Sequence, residues 1–168
     1  MTKEWFAVVT KRNSEKKVAK LLLRNNIEAF CPTSLFKIEG TLKFFENRPL
    51  ISAIVFVRLA KAEINSVLKV SGVKYFLHWL QKPAVINHED ILHIASFSRL
   101  YHDIEIEQCR VGLENTDIND VNFKTEPESI FLPSLGLKLV AKMENYRLQN
   151  LYPTLEDYKK VHFSLSVQ

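Results

Sequence analysis

The run PLISAIVFVRL, residues 49–59, is the most apolar stretch of the chain, and Arg58 is its only charged residue. A helix that crosses a bilayer needs about 20 apolar residues, and this run stops at eleven. Short apolar runs that start at Pro and are rich in Ile, Val and Phe are typical of a strand buried on both faces. We therefore predict a central strand over residues 49–59.

The composition favours a folded globular protein of one or two domains, with 168 residues of which 46% are hydrophobic. The N-terminus MTKEWFAVVT lacks the roughly 7 to 15 apolar residues of a signal peptide, so we expect a cytoplasmic protein without membrane contact. Cys31 and Cys109 have neither the number nor the spacing of a disulfide framework or a zinc site. We expect both to be reduced and structural.

The order of patterns over residues 5–101 predicts β-α-β-β-α-β-α. Strands are expected at 5–10, 27–36, 49–59 and 73–80, with a hairpin at 37–48, and helices at 14–25, 62–72 and 87–101. Asn13 or Ser14 would cap the first helix, and Asn87 the third, where Ile91, Ile94, Ala95 and Leu100 form an apolar stripe. This order predicts an α+β domain with an antiparallel sheet flanked by helices.

The last third of the chain changes character. Residues 106–128 are polar and predict a linker or poorly ordered region with strand fragments, following a first domain over 1–105. Residues 129–152 are apolar again, with a turn at Leu135 and Gly136, and predict a small second β module. Residues 153–168 would form a tail.

No pattern for catalysis, metal binding or cofactor binding is present. His88 and His93 are five residues apart, which does not place both on one helix face for a metal. The four glycines are at least 24 residues apart, which excludes a Gly-rich phosphate loop. We predict that the chain is not an enzyme and binds no metal or cofactor.

Basic residues concentrate in the N-terminal third, where residues 1–60 hold 11 Lys and Arg against 5 Asp and Glu. Lys11 and Arg12 lie in one predicted loop, and Lys16, Lys20 and Arg24 recur along one helix face. Such a stripe is typical of a surface that follows a phosphate backbone, and equally of a solvated helix.

Aromatic residues are the other candidates for binding. Tyr75, Phe76, His78 and Trp79 lie on one predicted strand. They would either stack on exposed bases or fill a core.

Several motifs in combination resemble the N-terminal domain of the NusG family of transcription elongation factors. They are WFAVVT, the EKKVA helix, the EAFCPT strand, the PL-x4-VFVR strand and the KPAVI turn, within residues 4–100. The chain is most similar to specialised NusG paralogues that act as antiterminators of capsule and exopolysaccharide operons.

This resemblance implies an α/β sandwich that binds the clamp helices of bacterial RNA polymerase and suppresses pausing. Its implied polymerase contacts are Trp5, Phe6, Pro49, Leu50, Ile51 and Ile54. Its implied contacts with the non-template DNA strand or nascent RNA are Lys11, Arg12, Asn13, Lys16, His78 and Trp79.

The chain departs from the family in two places. Where members usually read Phe, Pro, Gly and Tyr after PL, this chain has Ile51, Ser52, Ala53 and Ile54, so the aromatic anchors that often dominate interfaces are absent. The family's C-terminal KOW barrel has a Gly-rich turn, whereas residues 113–135 contain no glycine. We therefore predict a truncated or remodelled KOW-like module.

Two other functions remain open. Loss of the aromatic anchors suggests a divergent protein-interaction module that no longer binds polymerase. The basic stripe suggests a domain that binds single-stranded nucleic acid alone, with steep salt dependence.

Overall fold

The structure, a computed structural model, describes residues 2–37, 45–109 and 128–141. Its strands are β1 (Glu4–Thr10), β2 (Glu28–Phe30), β3 (Thr33–Lys37), β4 (Phe45–Pro49), β5 (Ile54–Leu59), β6 (Val73–Phe76), β7 (His78–Trp79), β8 (Lys82–Pro83), β9 (Val85–Ile86), β10 (Ile104–Gln108), β11 (Ser129–Leu132) and β12 (Leu137–Ala141). Its helices are α1 (Glu15–Arg24), α2 (Ile64–Leu68), which follows a 3-10 turn at Lys61–Glu63, and α3 (His88–Leu100). The predicted α+β class with antiparallel sheets is confirmed.

The central sheet is built around β1. Its strand order is β2-β5-β1-β6, and β9 also pairs with β1. Every pairing is antiparallel. The register of β1 and β5 runs from Glu4 opposite Leu59 to Val9 opposite Ile54, so the start of β5 lies beside the end of β1.

The two faces of the sheet carry separate apolar clusters. Side chains of a strand alternate between faces, and accordingly Phe6 shares a cluster with Leu22 of α1, whereas Trp5 shares one with Ile94 of α3. We refer to these as the α1 face and the α3 face. The predicted cap of α3 is confirmed, because the Asn87 side chain accepts a hydrogen bond from the Glu89 amide at 3.2 Å.

The α3 stripe is buried at three of its four predicted positions. Ile91, Ile94 and Ala95 belong to the α3-face cluster. Leu100, the fourth member, is 40% exposed at the end of the helix, so the prediction for that position is wrong.

The prediction of one continuous strand over residues 49–59 is wrong in its first half. A turn at 50–53 separates β4 from β5. Within it, the Leu50 amide donates to the Pro32 carbonyl at 2.8 Å, and Ala53 has φ +60°, which no strand accommodates. Apolar composition alone did not reveal this turn.

Two other predicted strands are also interrupted. Residues 27–36 break at Pro32, so that β2 pairs with β5 and β3 forms a hairpin with β4. Pro lacks the amide that a sheet ladder requires. Residues 73–80 divide into β6, which pairs with β1, and β7, which pairs with β8.

A second sheet has the strand order β10-β12-β11 and covers part of the α3 face. Leu132 and Leu139 belong to the same apolar cluster as Trp5. At the turn after β11, Ser134 donates to the buried Asp90 carboxylate from its amide at 2.9 Å and its hydroxyl at 2.5 Å. This sheet therefore packs directly against α3.

The proposed boundaries of the C-terminal region are only partly covered by the description. Residues 106–108 of the predicted linker belong to β10, and 129–141 of the predicted β module form β11 and β12. Residues 110–127 and 142–152 of these predictions, and the predicted tail at 153–168, lie outside the described residues. Among the described residues, no helix has the length and hydropathy needed to span a membrane.

Candidate functional site

The turn at 50–53 is held in place by hydrogen bonds to Ala53. Its amide donates to the Glu15 carboxylate at 2.6 Å, and its carbonyl accepts from the Thr10 amide at 2.8 Å. Both polar groups of the residue with positive φ are therefore satisfied by β1 and α1. Ala53 occupies the position where the resemblance expects Gly, and glycine adopts positive φ without strain.

Glu15 is a buried carboxylate, with 2% of its surface exposed. Burying an unpaired charge is costly, and the Ala53 amide offsets part of that cost. The position of Glu15 in the first turn of α1 also suits the positive end of the helix dipole. The sequence indicates Glu15 as a favourable residue at the start of a helix, but it gives no signal of the hydrogen bond to Ala53.

The Cys31 thiol lies close to this carboxylate. Burial, followed by the charge of Glu15, raises the pKa of Cys31 to about 12, with Lys16 acting in the opposite direction. Since the thiolate is the reactive form, Cys31 is inert near neutral pH, in accordance with the structural role expected for it.

The six residues implied as polymerase contacts do not form one exposed surface. Trp5 and Phe6 are 3% and 1% exposed and lie on opposite faces of the sheet. Leu50 is 5% exposed. Pro49, Ile51 and Ile54 are partly exposed, and the last two pack against the α3-face cluster. The accessible part of this set is thus the turn and the start of β5.

Trp5 lies in the same apolar cluster as Leu50 and is hydrogen-bonded to α3. Its indole Nε1–H donates to Nδ1 of His88 at 3.0 Å, and the two rings are nearly parallel, 9° apart. Because Nδ1 accepts this bond, the neutral His88 ring carries its proton on Nε2. The bond connects β1 to the first residue of α3.

The loop between β1 and α1 is exposed and lies against the loop before β6. Lys11, Arg12 and Asn13 are all exposed. The Lys11 amide donates to the Gly72 carbonyl at 2.8 Å. Gly72 has φ +97°, and a Cβ there would approach Val18 Cγ2 of α1 to 2.7 Å, so the packing of this loop against α1 requires glycine.

Lys16 is exposed and is already engaged by the neighbouring hairpin. Its Nζ donates to the Asn47 carbonyl at 2.6 Å. The same face of α1 presents Lys20 and Arg24 to solvent, whereas Val18 and Leu22 are buried. The basic stripe is therefore solvated and adjoins β4.

The β7–β8 hairpin presents the remaining two candidates. His78 and Trp79 are exposed, Trp79 to 74% and the adjacent Leu80 to 81%. Leu80 and Gln81 both have positive φ, 48° and 64°, which is the geometry of a two-residue hairpin turn. Trp79 lies opposite Lys82 in the register.

The structure brings the basic loop at 11–13 into contact with Gly72, just before β6, whereas the β7–β8 hairpin follows β6 beyond Leu77, which bonds to Ala7 of β1. The nucleic-acid candidates are exposed and polar or aromatic, whereas the polymerase candidates are apolar, three of them buried and three partly exposed. Tyr75, 53% exposed on β6, joins the exposed set, and Phe76, at 1%, belongs to the core. Over the described residues, no group of three or more His, Cys, Asp or Glu could hold a metal ion.

Over the described residues, the fold is an antiparallel α+β arrangement of sheets and helices. The family model for transcription termination factor NusG matches residues 3–95, more than half of the chain. The chain therefore belongs to the NusG family, whose members are transcription factors and not enzymes. The predicted family and the absence of enzymatic function are confirmed.

No curated protein matches the chain. Among solved structures, that of Thermotoga maritima NusG, reported for domain interaction in that protein, is 22% identical with a TM-score of 0.39. The match covers 54% of this chain and 54% of the Thermotoga chain, so the similar part spans about half of that protein.

Proposed function

We propose that this protein is a transcription elongation and antitermination factor that binds bacterial RNA polymerase in the cytoplasm and suppresses pausing or termination. The observation that carries the proposal is membership of the NusG family over residues 3–95. A surface-polysaccharide operon is the proposed target, on the resemblance of the sequence motifs to the specialised paralogues.

The proposed polymerase contact is the turn at 50–53 with its neighbours Pro49 and Ile54. Two observations support this contact. Ile51 and Ile54 are partly exposed, and the backbone between them is held because the amide and the carbonyl of Ala53 are both hydrogen-bonded. A preorganised apolar surface loses little entropy on binding. Trp5 and Leu50, which are buried, would contribute by supporting this surface, and Phe6 by filling the α1 face.

The proposed nucleic-acid contact is the loop at 11–13 together with Lys16 and the β7–β8 hairpin. Its support is exposure and charge, because positive side chains that contact phosphates release counterions and so drive binding. The C-terminal region over 129–152 stays proposed as a degenerate KOW-like module, with the linker and tail boundaries stated above.

A pull-down on immobilised core bacterial RNA polymerase tests the proposal. We expect the wild type to be retained and Ile54→Asp to be lost, because a charge would enter an apolar interface. Leu68→Asp on α2 is the matched control, since Leu68 is 43% exposed and lies outside the proposed contact. Circular dichroism of each variant establishes that it is folded.

Ser52→Glu provides a second variant, because Ser52 is exposed in the same turn and its replacement does not disturb the core. Failure of the wild type to bind, or retention of both Ile54→Asp and Ser52→Glu, would contradict the proposed contact. If the wild type captured other proteins instead, the interaction-module alternative would be favoured. Steeply salt-dependent binding of single-stranded DNA without polymerase binding would favour the stand-alone alternative.

A further inference from the structure

We infer that Tyr75 and Trp79 form a base-stacking platform for unpaired nucleic acid, continuous with the basic loop at 11–13. We call residues 74–82 the aromatic edge. The inference rests on the proposed nucleic-acid contact and extends it by choosing stacking over core packing for Tyr75 and Trp79.

The backbone places the two rings on one side of an extended segment. Phe76 is buried in the α1-face cluster, so its neighbours Tyr75 and Leu77 point the other way. Hydrogen bonds from the Leu77 amide to Ala7 and from the Ala84 amide to Leu77, both 2.8 Å, keep the segment extended beyond β6. At about 3.3 Å per residue, Tyr75 and Trp79 lie about 13 Å apart, far enough for each ring to meet a different base.

Exposure distinguishes these rings from core aromatics. Tyr75 is 53% and Trp79 74% exposed, with Leu77 at 38% and Leu80 at 81%. Single exposed apolar residues are common on protein surfaces, whereas a contiguous set of large ones is typical of an interaction site.

The charge around the rings selects a polyanion as the partner. Residues 64–88 contain Lys69, Lys74 and Lys82 and no Asp or Glu. Lys82 is the register partner of Trp79, and Lys74 precedes Tyr75. An apolar protein partner gives no reason for the lack of carboxylates in this segment. A nucleic acid does, because carboxylates would repel its phosphates while its bases stack on the rings.

The position of the aromatic edge completes the argument. The Lys11 amide bonds to the Gly72 carbonyl, and Thr10 pairs with Val73, so the basic loop lies beside the residues that lead into the aromatic edge. A strand whose phosphates contact Lys11 and Arg12 would pass along β6, with its bases toward Tyr75 and then Trp79. This combination of a basic groove and stacking rings is how sequence-tolerant single-strand binders work.

Titration of the full chain with a fluorescently labelled 20-nucleotide thymidine oligonucleotide tests the inference by anisotropy. We expect Trp79→Ala and Tyr75→Ala each to weaken binding about fivefold to hundredfold. The control is Phe131→Ala, an aromatic residue 45% exposed on β11, for which we expect less than a twofold change. Circular dichroism confirms that these surface variants fold.

Two further readouts separate stacking from charge. Trp5 is buried and Trp79 exposed, so quenching of tryptophan fluorescence on addition of unlabelled oligonucleotide should vanish in Trp79→Phe. The salt dependence of binding should stay unchanged in Trp79→Ala, but its slope should fall by about 1.4 in the variant with Lys11→Ala and Arg12→Ala, at about 0.7 per phosphate contact.

Binding of Trp79→Ala and Tyr75→Ala equal to that of Phe131→Ala would overturn the inference, as would DNA binding without quenching. Binding to anionic phospholipid vesicles without binding to the oligonucleotide would overturn it in favour of a membrane surface. The polymerase pull-down is independent of these readouts. Retention on polymerase with no stacking effect refutes only this inference, and stacking without retention refutes only the polymerase contact.

Discussion

Two turns of this molecule share the same backbone strain but differ in their support. In the turn at 50–53, Ala53 has φ +60° and is bonded to Glu15 and Thr10. In the β7–β8 hairpin, Leu80 and Gln81 have similar positive φ, yet Leu80 is 81% exposed. The first turn is held by the core and offers a fixed apolar surface. The β7–β8 hairpin leaves Trp79 and Leu80 exposed to solvent, so that only a binding partner would bury them.

The largest expected effect contrasts Leu50 with Leu80. Leu50→Ala should lower the free energy of unfolding by about 2 to 5 kcal/mol, because it leaves a cavity in the α3-face cluster. Leu80→Ala should change it by less than about 0.5 kcal/mol, since an exposed side chain makes few contacts. Urea denaturation of both variants measures this difference. Equal losses would show that the two turns do not differ in support.

An intermediate effect is expected at the carboxylate that supports the first turn. Glu15→Ala should lower the free energy of unfolding by about 1 to 3 kcal/mol, because the Ala53 amide loses its acceptor. Glu15→Gln should lose less, since its amide oxygen still accepts. Lys17→Ala, on the exposed side of the same helix, is the control, with an expected change of less than about 0.5 kcal/mol.

Hydrogen exchange of the Ala53 amide follows the same change directly. We expect faster exchange in Glu15→Ala than in the wild type and no change in Lys17→Ala. Unchanged protection of this amide in Glu15→Ala would mean that the carboxylate does not hold the turn.

The smallest expected effect is a gain at the strained residues themselves. Ala53→Gly and Gln81→Gly should each raise the free energy of unfolding by about 1 kcal/mol or less, because glycine adopts positive φ without the steric cost of a Cβ. Ala60→Gly is the control, since Ala60 has φ −80°, and should lower stability by about 0.5 to 1 kcal/mol. Thermal unfolding midpoints measure all three. A loss in Ala53→Gly would show that its strain is already relieved.

Much of the fold of the N-terminal part was predictable from local signals. Apolar spacing identified α1 and most of the buried stripe of α3, and Asn87 identified the start of α3. The aromatic and β-branched composition of residues 5–10 identified β1. These features were predictable because capping and periodicity depend on residues only a few positions apart. The combination of motifs also identified the family that the match over residues 3–95 confirms.

The candidate surfaces were predictable only as sets of residues. The exposure of Lys11 and Arg12 followed from their charge, but the opposite placement of Trp5 and Phe6 depends on which face each helix covers. The acceptor role of Glu15 was missed because it requires Ala53, 38 positions away. The turn at 50–53 was missed because its apolar residues have the composition of a strand.

The sequence by itself determined the presence of three helices, the first strand, the excess of positive charge in the first third and membership of the NusG family. The tertiary structure decided where the apolar run turns, which aromatic side chains are buried, and that β10, β11 and β12 pack on α3 through Ser134 and Asp90. The physical reason is distance along the chain. Composition and periodicity report contacts within a few residues, whereas burial and strained turns depend on partners that only the folded chain brings together.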